Sequence, residues 1–426
     1  DQLIRGGKKV TGDKNDSQPF WLAFLPFLSW IGLLKNKANL RADILAGITV
    51  ALVLVPQSMA YAQLAGLPVY YGLYASFLPP MVAALFGSSR QLATGPVAVV
   101  SLMTAAALGP LAAGNPEGYL AYAVLLAFMV GVFQFFLGVF RLGVLVDFLS
   151  HPVVIGFTNA GALIIATSQL SKLFGVTVEK AEAHYETVMR VIQAAMEHTH
   201  MPTLWMGLLS IGLMFGLKKH LPKIPNVLVA VVVTTVLSWY TGFQEAGGRV
   251  VGEIPVGLPG FALPVFDWEI MTQLIATAIT ISLIGFMEAI SIAKAMAART
   301  RQRLDANQEL IGQGLSNMVT GCFSGYPGSG SFSRSAVNIN AGAVTGISSV
   351  VTGAVVGITL LWLTPLLYYL PQATLASVII MAVINLIKVE PVIHAWKAEP
   401  HDGVVAVITF VLTLIMAPHL DKGIII

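Results

Sequence analysis

The chain has 426 residues, of which 56% are hydrophobic and only 11% charged, with a mean hydropathy of +0.78 and a net charge of +3. A soluble protein of this size needs far more charge on its surface, so the composition excludes one and points to many membrane crossings. The small, scattered positive charge has no aromatic-interleaved basic stripe and gives nucleic-acid binding no support; one cysteine, Cys322, leaves no intrachain disulfide and no cysteine metal cluster.

The first 20 residues, DQLIRGGKKVTGDKNDSQPF, are polar and carry both charge signs. Lacking an apolar h-region, they are not expected to be a cleavable signal peptide, and residues 1–40 read as a cytoplasmic segment before a transmembrane region over 41–426. Apolar windows then predict spans at 44–64, 70–87, 95–111, 118–140, 152–174, 202–219 and 225–243. A second series follows at 268–293, 307–323, 331–345, 346–366, 372–389 and 402–418, and a fourteenth span opens at DKGIII. A barrel needs short alternating segments, so the expected class is an all-α polytopic membrane protein. With the N-terminus cytoplasmic, 18 of the 24 Lys and Arg residues fall inside, which sets the expected orientation and leaves 175–201 and 244–262 as outward loops.

Trp21, Trp30 and Trp362 fall near span ends and read as interface anchors. Gly353 and Gly357 form a small-xxx-small packing motif. His151, His394 and His401 have no ligand spacing, and neither G-x-S-x-G nor a P-loop pattern occurs, so neither an enzyme nor a bound metal or cofactor is expected.

The two series mirror each other. LVPQSMAYAQLAG ends the first span and SSRQLATGPVAVVSL follows two segments later; LIGFMEAISIAKAMA lies in the eighth and GSGSFSRSAV follows two segments later. Each pair has an intramembrane polar residue, Gln57 or Glu288, then a short segment interrupted by Gly or Pro. Seven spans separate them, so the halves are expected to be inverted, a pattern that marks the binding site of a secondary transporter. Gly95-Pro96 and Gly330-Ser331 read as helix starts at membrane depth, Gly or Ser capping and Pro in the first turn. Each start offers unpaired N–H groups, from Val97 and Ala98 on one side and Ser333 and Arg334 on the other. Two positive helix ends aimed at one point make an anion site. Arg334 reads as a field source for the anion, as a direct ligand, or as half of an ion pair with Glu288 that locks two helices. Glu288 reads as a protonatable coupling group or as a paired acid near a helix end; Gln57 as an anion donor or an interhelical bridge; Tyr61 as cavity lining or packing.

Four stretches, VPQSMAYAQLAGLPVYYGLYASFLPP (55–80), GSSRQLATGPVAVVSLM (87–103), GFTNAGALIIATSQL (156–170) and NQELIGQGLSNMVTGCFSGYPGSGSFSRSAVNINAG (307–342), resemble the sulfate permease (SulP) family of anion transporters. The resemblance extends over about 20–426 and implies a seven-plus-seven inverted repeat. Spans one to four and eight to eleven would form a core (about 41–140 and 265–366), the others a gate (about 144–243 and 370–426), with half-helices meeting at the midplane. It further implies an elevator-like core movement, a homodimer, and a cytoplasmic STAS domain following the fourteenth span. Carried over by motif, the anion site takes Gln57, Tyr61, Val97, Ser333 and Arg334, with Gly95, Pro96, Ala98, Ser331 and Phe332 beside them in the two helix starts. Glu288 is similar to the acid of proton-coupled members. The resulting expectation is proton-coupled uptake of an inorganic oxyanion, sulfate first, in a plasma (inner) membrane. Sodium-coupled bicarbonate transport, chloride/bicarbonate exchange and an anion channel are the alternatives.

Overall fold

Helix-forming windows and their caps account for most of the architecture. In the computed structural model, the described residues are 25–417 except 113, 145–150, 180, 182 and 223. The segment before residue 25, with Trp21, and the opening of the fourteenth span at 421–426 lie outside them. The short α1 (Leu28–Ile31) leads into α2 (Lys37–Leu64) and α3 (Tyr70–Phe86), then strand β1 (Ala93–Gly95), α4 (Ala98–Leu111) and α5 (Pro116–Val139). Next come α6 (His151–Ser168), α7 (Leu170–Phe174), α8 (His184–His198), α9 (Met201–His220) and α10 (Asn226–Thr241). The second series is α11 (Trp268–Thr300), α12 (Ala306–Cys322), strand β2 (Ser329–Ser331), α13 (Phe332–Asn340), α14 (Ile347–Ile358), α15 (Gln372–Ile384), α16 (Glu390–Ala398) and α17 (Pro400–Met416).

Each of the thirteen predicted windows contains a helix. Six, over 37–64, 116–139, 152–174, 201–220, 268–300 and 347–367, are long and apolar enough to cross a membrane; α4, α10, α15 and α17 are apolar but shorter. At 33 residues, α11 is about 50 Å long, more than a hydrocarbon core of about 30 Å requires. Among the described residues, four helices start on a side-chain cap: Asn36 accepts from the Ala38 N–H at 3.0 Å, Asn115 from Gly118 at 2.9 Å, Asp267 from Glu269 at 2.9 Å and Asp305 from Asn307 at 2.8 Å. Each cap satisfies a donor that the first helical turn leaves without a carbonyl.

Three expectations need correction. The outward loop at 175–201 contains a helix, α8, whose sequence is amphipathic rather than apolar and so falls outside an apolar-window reading. The 152–174 window is two helices parted at Gln169. The chain is also not purely helical: β1 and β2 pair antiparallel, Ala93 opposite Ser331, Thr94 opposite Gly330 and Gly95 opposite Ser329.

Packing divides the helices into two groups. In the first, α12 lies between α5 and α3, α14 against α2 and α3, and α11 along α5. Small residues permit the approach: a Cβ at Gly131 would run into the Met318 backbone, and one at Gly314 into Phe135. Gly353 and Gly357 of the predicted packing motif abut Phe77 of α3. In the second group α6 packs on α17, and α15 on α9, α6 and α7. Contacts of α2 with α15 and α10, and of α4 with α6, join the groups.

Candidate functional site

The β1–β2 pairing is the local event that builds the site. Each strand is followed by a helix, so the antiparallel pair brings the N-termini of α4 and α13 together across more than 200 residues of sequence. Neither terminus has a side-chain cap. The first helical bond of α4 runs from Ser101 N–H to the Val97 carbonyl at 3.0 Å, so the N–H groups of Ala98, Val99 and Val100 have no helical acceptor. By the same count the orphan donors of α13 belong to Phe332, Ser333 and Arg334. The start of α4 therefore differs in register from expectation. Val97, not Gly95, holds the N-cap position of α4, because Pro96 lies in the extended exit from β1 rather than in the first turn. Ser331 does occupy the N-cap position of α13, but its hydroxyl faces the Ser333 hydroxyl at 3.3 Å instead of capping the backbone.

Arg334, fully buried in the first turn of α13, is the cross-brace of the arrangement. Its Nη2 donates to the Pro96 carbonyl at 2.9 Å and its Nη1 to Gln57 Oε1 at 3.3 Å, while its Nε has no partner among the described residues. Gly95 sits beside it with φ +149, a backbone conformation that suits glycine. Gln57 follows Pro56, whose ring removes a backbone donor from the interior of α2. Since its carbonyl oxygen is turned to Arg334, its amide N–H groups remain for another acceptor. Tyr61, one turn on, packs in an apolar cluster with Leu54 and with Ala98 at the start of α4.

The ion pair between Arg334 and Glu288 does not form: no ion pair involving either occurs within 4.0 Å among the described residues. Glu288 lies on α11 beside the strand pair. Its neighbour Ala289 abuts Gly330, and the Gly285 carbonyl one turn earlier accepts from Ser329 Oγ at 2.6 Å. Its Oε2 is buried without a hydrogen-bond partner among the described residues. An unpaired buried carboxylate oxygen is costly, and a proton would relieve that cost.

Several residues that sequence reasoning missed hold this geometry. On α12, Gln313 donates to Thr94 Oγ1 at 2.9 Å, Asn317 accepts from Gly328 N–H at 2.9 Å and donates to Gln134 Oε1 at 2.9 Å, and Glu309 accepts from Ser88 and Ser89 at 2.9 and 2.8 Å. Their i, i+4, i+8 spacing in an apolar window was the available signal. Ser335 Oγ accepts from Ala93 N–H at 2.9 Å, and Tyr326 OH lies 3.1 Å from Ser101 Oγ. Lys388, positioned by reciprocal bonds between its backbone and Asn159, puts its ammonium 5.6 Å from the ring centroid of Phe332, which is half exposed beside exposed Ser333. All the expected site residues thus lie on the two helix starts, on α2 across from them, or on α11 behind them.

Comparison with known proteins agrees with this architecture. Residues 40–409 match the model of the Sulfate permease family. Among curated relatives, "Sulfate transporter 4.1, chloroplastic" of Arabidopsis thaliana is 40% identical over 92% of the chain, and "High affinity sulfate transporter 1" of Stylosanthes hamata 37% identical over 89%. The chain spans 58% and 59% of their respective lengths. Of solved structures, SLC26A9 superposes with a TM-score of 0.89 at 26% identity, covering 95% of this chain and 66% of that one. The transmembrane domain of a cyanobacterial bicarbonate transporter, BicA, superposes with a TM-score of 0.78 at 25% identity, covering 91% and 97%. A multi-pass helical chain, a paired break in two half-helices and a family match over most of its length lead to one conclusion: this protein belongs to the sulfate permease family.

Proposed function

We propose that the chain is the membrane domain of a secondary transporter of inorganic anions, with sulfate as substrate and protons as the coupling ion. One observation carries the reading: two uncapped helix N-termini, α4 and α13, face each other around a buried arginine. Orphan N–H groups and the positive ends of two macrodipoles suit an anion of any sequence-independent shape, and the partly exposed start of α13 gives access to it. Ser333 and the Gln57 amide supply side-chain donors, while Arg334 contributes field from behind because its fork is engaged with Pro96 and Gln57. Sulfate is the first choice because the relatives named as sulfate transporters reach 40% identity. Bicarbonate, with sodium as the coupling ion, is a second reading favoured by the superposition on BicA.

In this reading the first packing group is the core and the second the gate, related by a seven-plus-seven inverted repeat. Exchange of packing partners supports it: α5 on α12 and α11 corresponds to α14 on α3 and α2. Elevator-like movement follows if the core, with the anion, slides past the gate along the contacts of α2 with α15 and α10 and of α4 with α6, protonation of Glu288 offsetting the anion's charge. An N-terminus in the cytoplasm of a plasma membrane and assembly as a homodimer complete the proposal. The test is uptake of labelled sulfate into proteoliposomes with pH and sodium gradients varied separately, against a panel of competing anions. Uptake driven by an inward proton gradient is the expected result; uptake that ignores it removes the proton-coupling claim, and competition by bicarbonate without sulfate transport reassigns the substrate.

A further inference from the structure

One of the helices absent from the sequence reading, α8, has three faces rather than two. At 100° per residue, Tyr185, Met189, Ile192 and Met196 occupy an arc of about 60°, and their exposures are 58%, 67%, 46% and 77%. A second arc of similar width, about 100° further round, carries exposed Glu186, Arg190, Gln193 and Glu197. The third face, with buried Val191, rests on the protein. A helix immersed in water has no reason to separate an exposed apolar stripe from an exposed polar one.

Both ends of α8 are fastened at the level where spans end. At its start, His184 N–H donates to the Ala417 carbonyl after α17 at 3.2 Å, and its ring Nε2 lies 2.8 Å from Thr167 Oγ1 near the end of α6. Just after its end, His200 N–H donates to the Phe174 carbonyl of α7 at 3.0 Å, and α9 begins at Met201. A 15-residue helix, about 22 Å long, is therefore laid along one rim of the bundle. Its apolar stripe continues into exposed Met201 and Trp205 in the first turns of α9, a helix long and apolar enough to cross a membrane.

We propose that α8 is an interfacial anchor that lies in the membrane plane and sinks Tyr185, Met189, Ile192 and Met196 into the headgroup–acyl boundary. The partner is the lipid surface itself. The outer face carries Glu186, Glu197 and Arg190 and, among the described residues, offers no cationic cluster, so anchoring comes from apolar burial and suits zwitterionic phosphatidylcholine. Because α8 packs on α6, α7 and α17, the anchor holds the second packing group at a fixed depth.

The test uses the whole chain in phosphatidylcholine vesicles. Cys322→Ser, with Cys322→Ala as a second background, removes the single cysteine; new cysteines at 185, 189, 192 and 196, or at 186, 190, 193 and 197, carry a nitroxide label. Power saturation compares collision with oxygen, which concentrates in the bilayer, and with a water-soluble nickel chelate. A several-fold higher oxygen-to-nickel ratio is expected at the first four positions, reversed at the second four. Equal nickel access at all eight makes the stripe water-facing and overturns the proposal. Shielding of the first four from both reagents means that protein, such as a second copy, covers the stripe, and overturns it equally.

Discussion

The brace formed by Arg334 allows a quantitative test. Its two side-chain bonds run from a charged donor to neutral acceptors, a class worth about 1.5 to 3 kcal/mol each, so together they hold α13 to the start of α4 and to α2 by about 3 to 6 kcal/mol. Arg334→Lys keeps the charge but reaches one acceptor only, losing about 1.5 to 3 kcal/mol, a factor of roughly ten to over a hundred in the population of the assembled site. Arg334→Met loses both bonds and the field, and leaves the Pro96 carbonyl without its donor. Because apparent affinity scales with the competent fraction, kcat/KM for sulfate should fall by those factors, in the order wild type, Lys, Met. Initial uptake rates in proteoliposomes, measured on protein that elutes as a single species, give the numbers. Wild-type uptake by Arg334→Met would refute the brace and the field together; full activity in Arg334→Lys with loss in Arg334→Met would leave only the field.

Other substitutions separate the remaining roles. Glu288→Gln should remove the stimulation of uptake by a proton gradient while anion binding, followed by titration, stays within a few-fold; unchanged stimulation would return Glu288 to a packing role. Ser333→Leu should abolish transport with little change in thermal stability, since Ser333 is exposed and its bulk would fall at the mouth of the site; transport at normal rates would move the site elsewhere. Gly95→Ala imposes a side chain at φ +149, at a cost of about 1 to 3 kcal/mol, and should weaken β1–β2 pairing enough to lower uptake at least several-fold. Lys388→Ala should raise KM for the anion and flatten its dependence on ionic strength without lowering kcat; an unaltered salt dependence would make the contact with Phe332 incidental.

The class of the protein, the thirteen helical windows and the break at each half-helix were legible in the sequence because hydropathy and Gly/Pro punctuation are local. A stretch such as Ile347–Leu367 has nowhere to bury its side chains but membrane or core, whatever its neighbours do. Ser331, Ser333 and Arg334 stood out for the same reason, as polar groups where local composition disfavours them. Helix α8 was missed because amphipathic periodicity does not register in an apolar window, and the Glu309–Gln313–Asn317 stripe because polar residues there read as interruptions.

Sequence alone determined that this chain crosses a membrane many times and carries two interrupted segments that need something to satisfy them. Only the tertiary structure decided what does so. Residues 93–95 and 329–331 pair as strands, which shifts the first helix start from Gly95 to Val97 and gives Arg334 hydrogen bonds to Pro96 and Gln57 rather than an ion pair with Glu288. The reason is physical: a backbone donor, or an arginine with several donors, takes whichever acceptor folding brings within about 3 Å. For Arg334 that acceptor lies 238 residues away at Pro96.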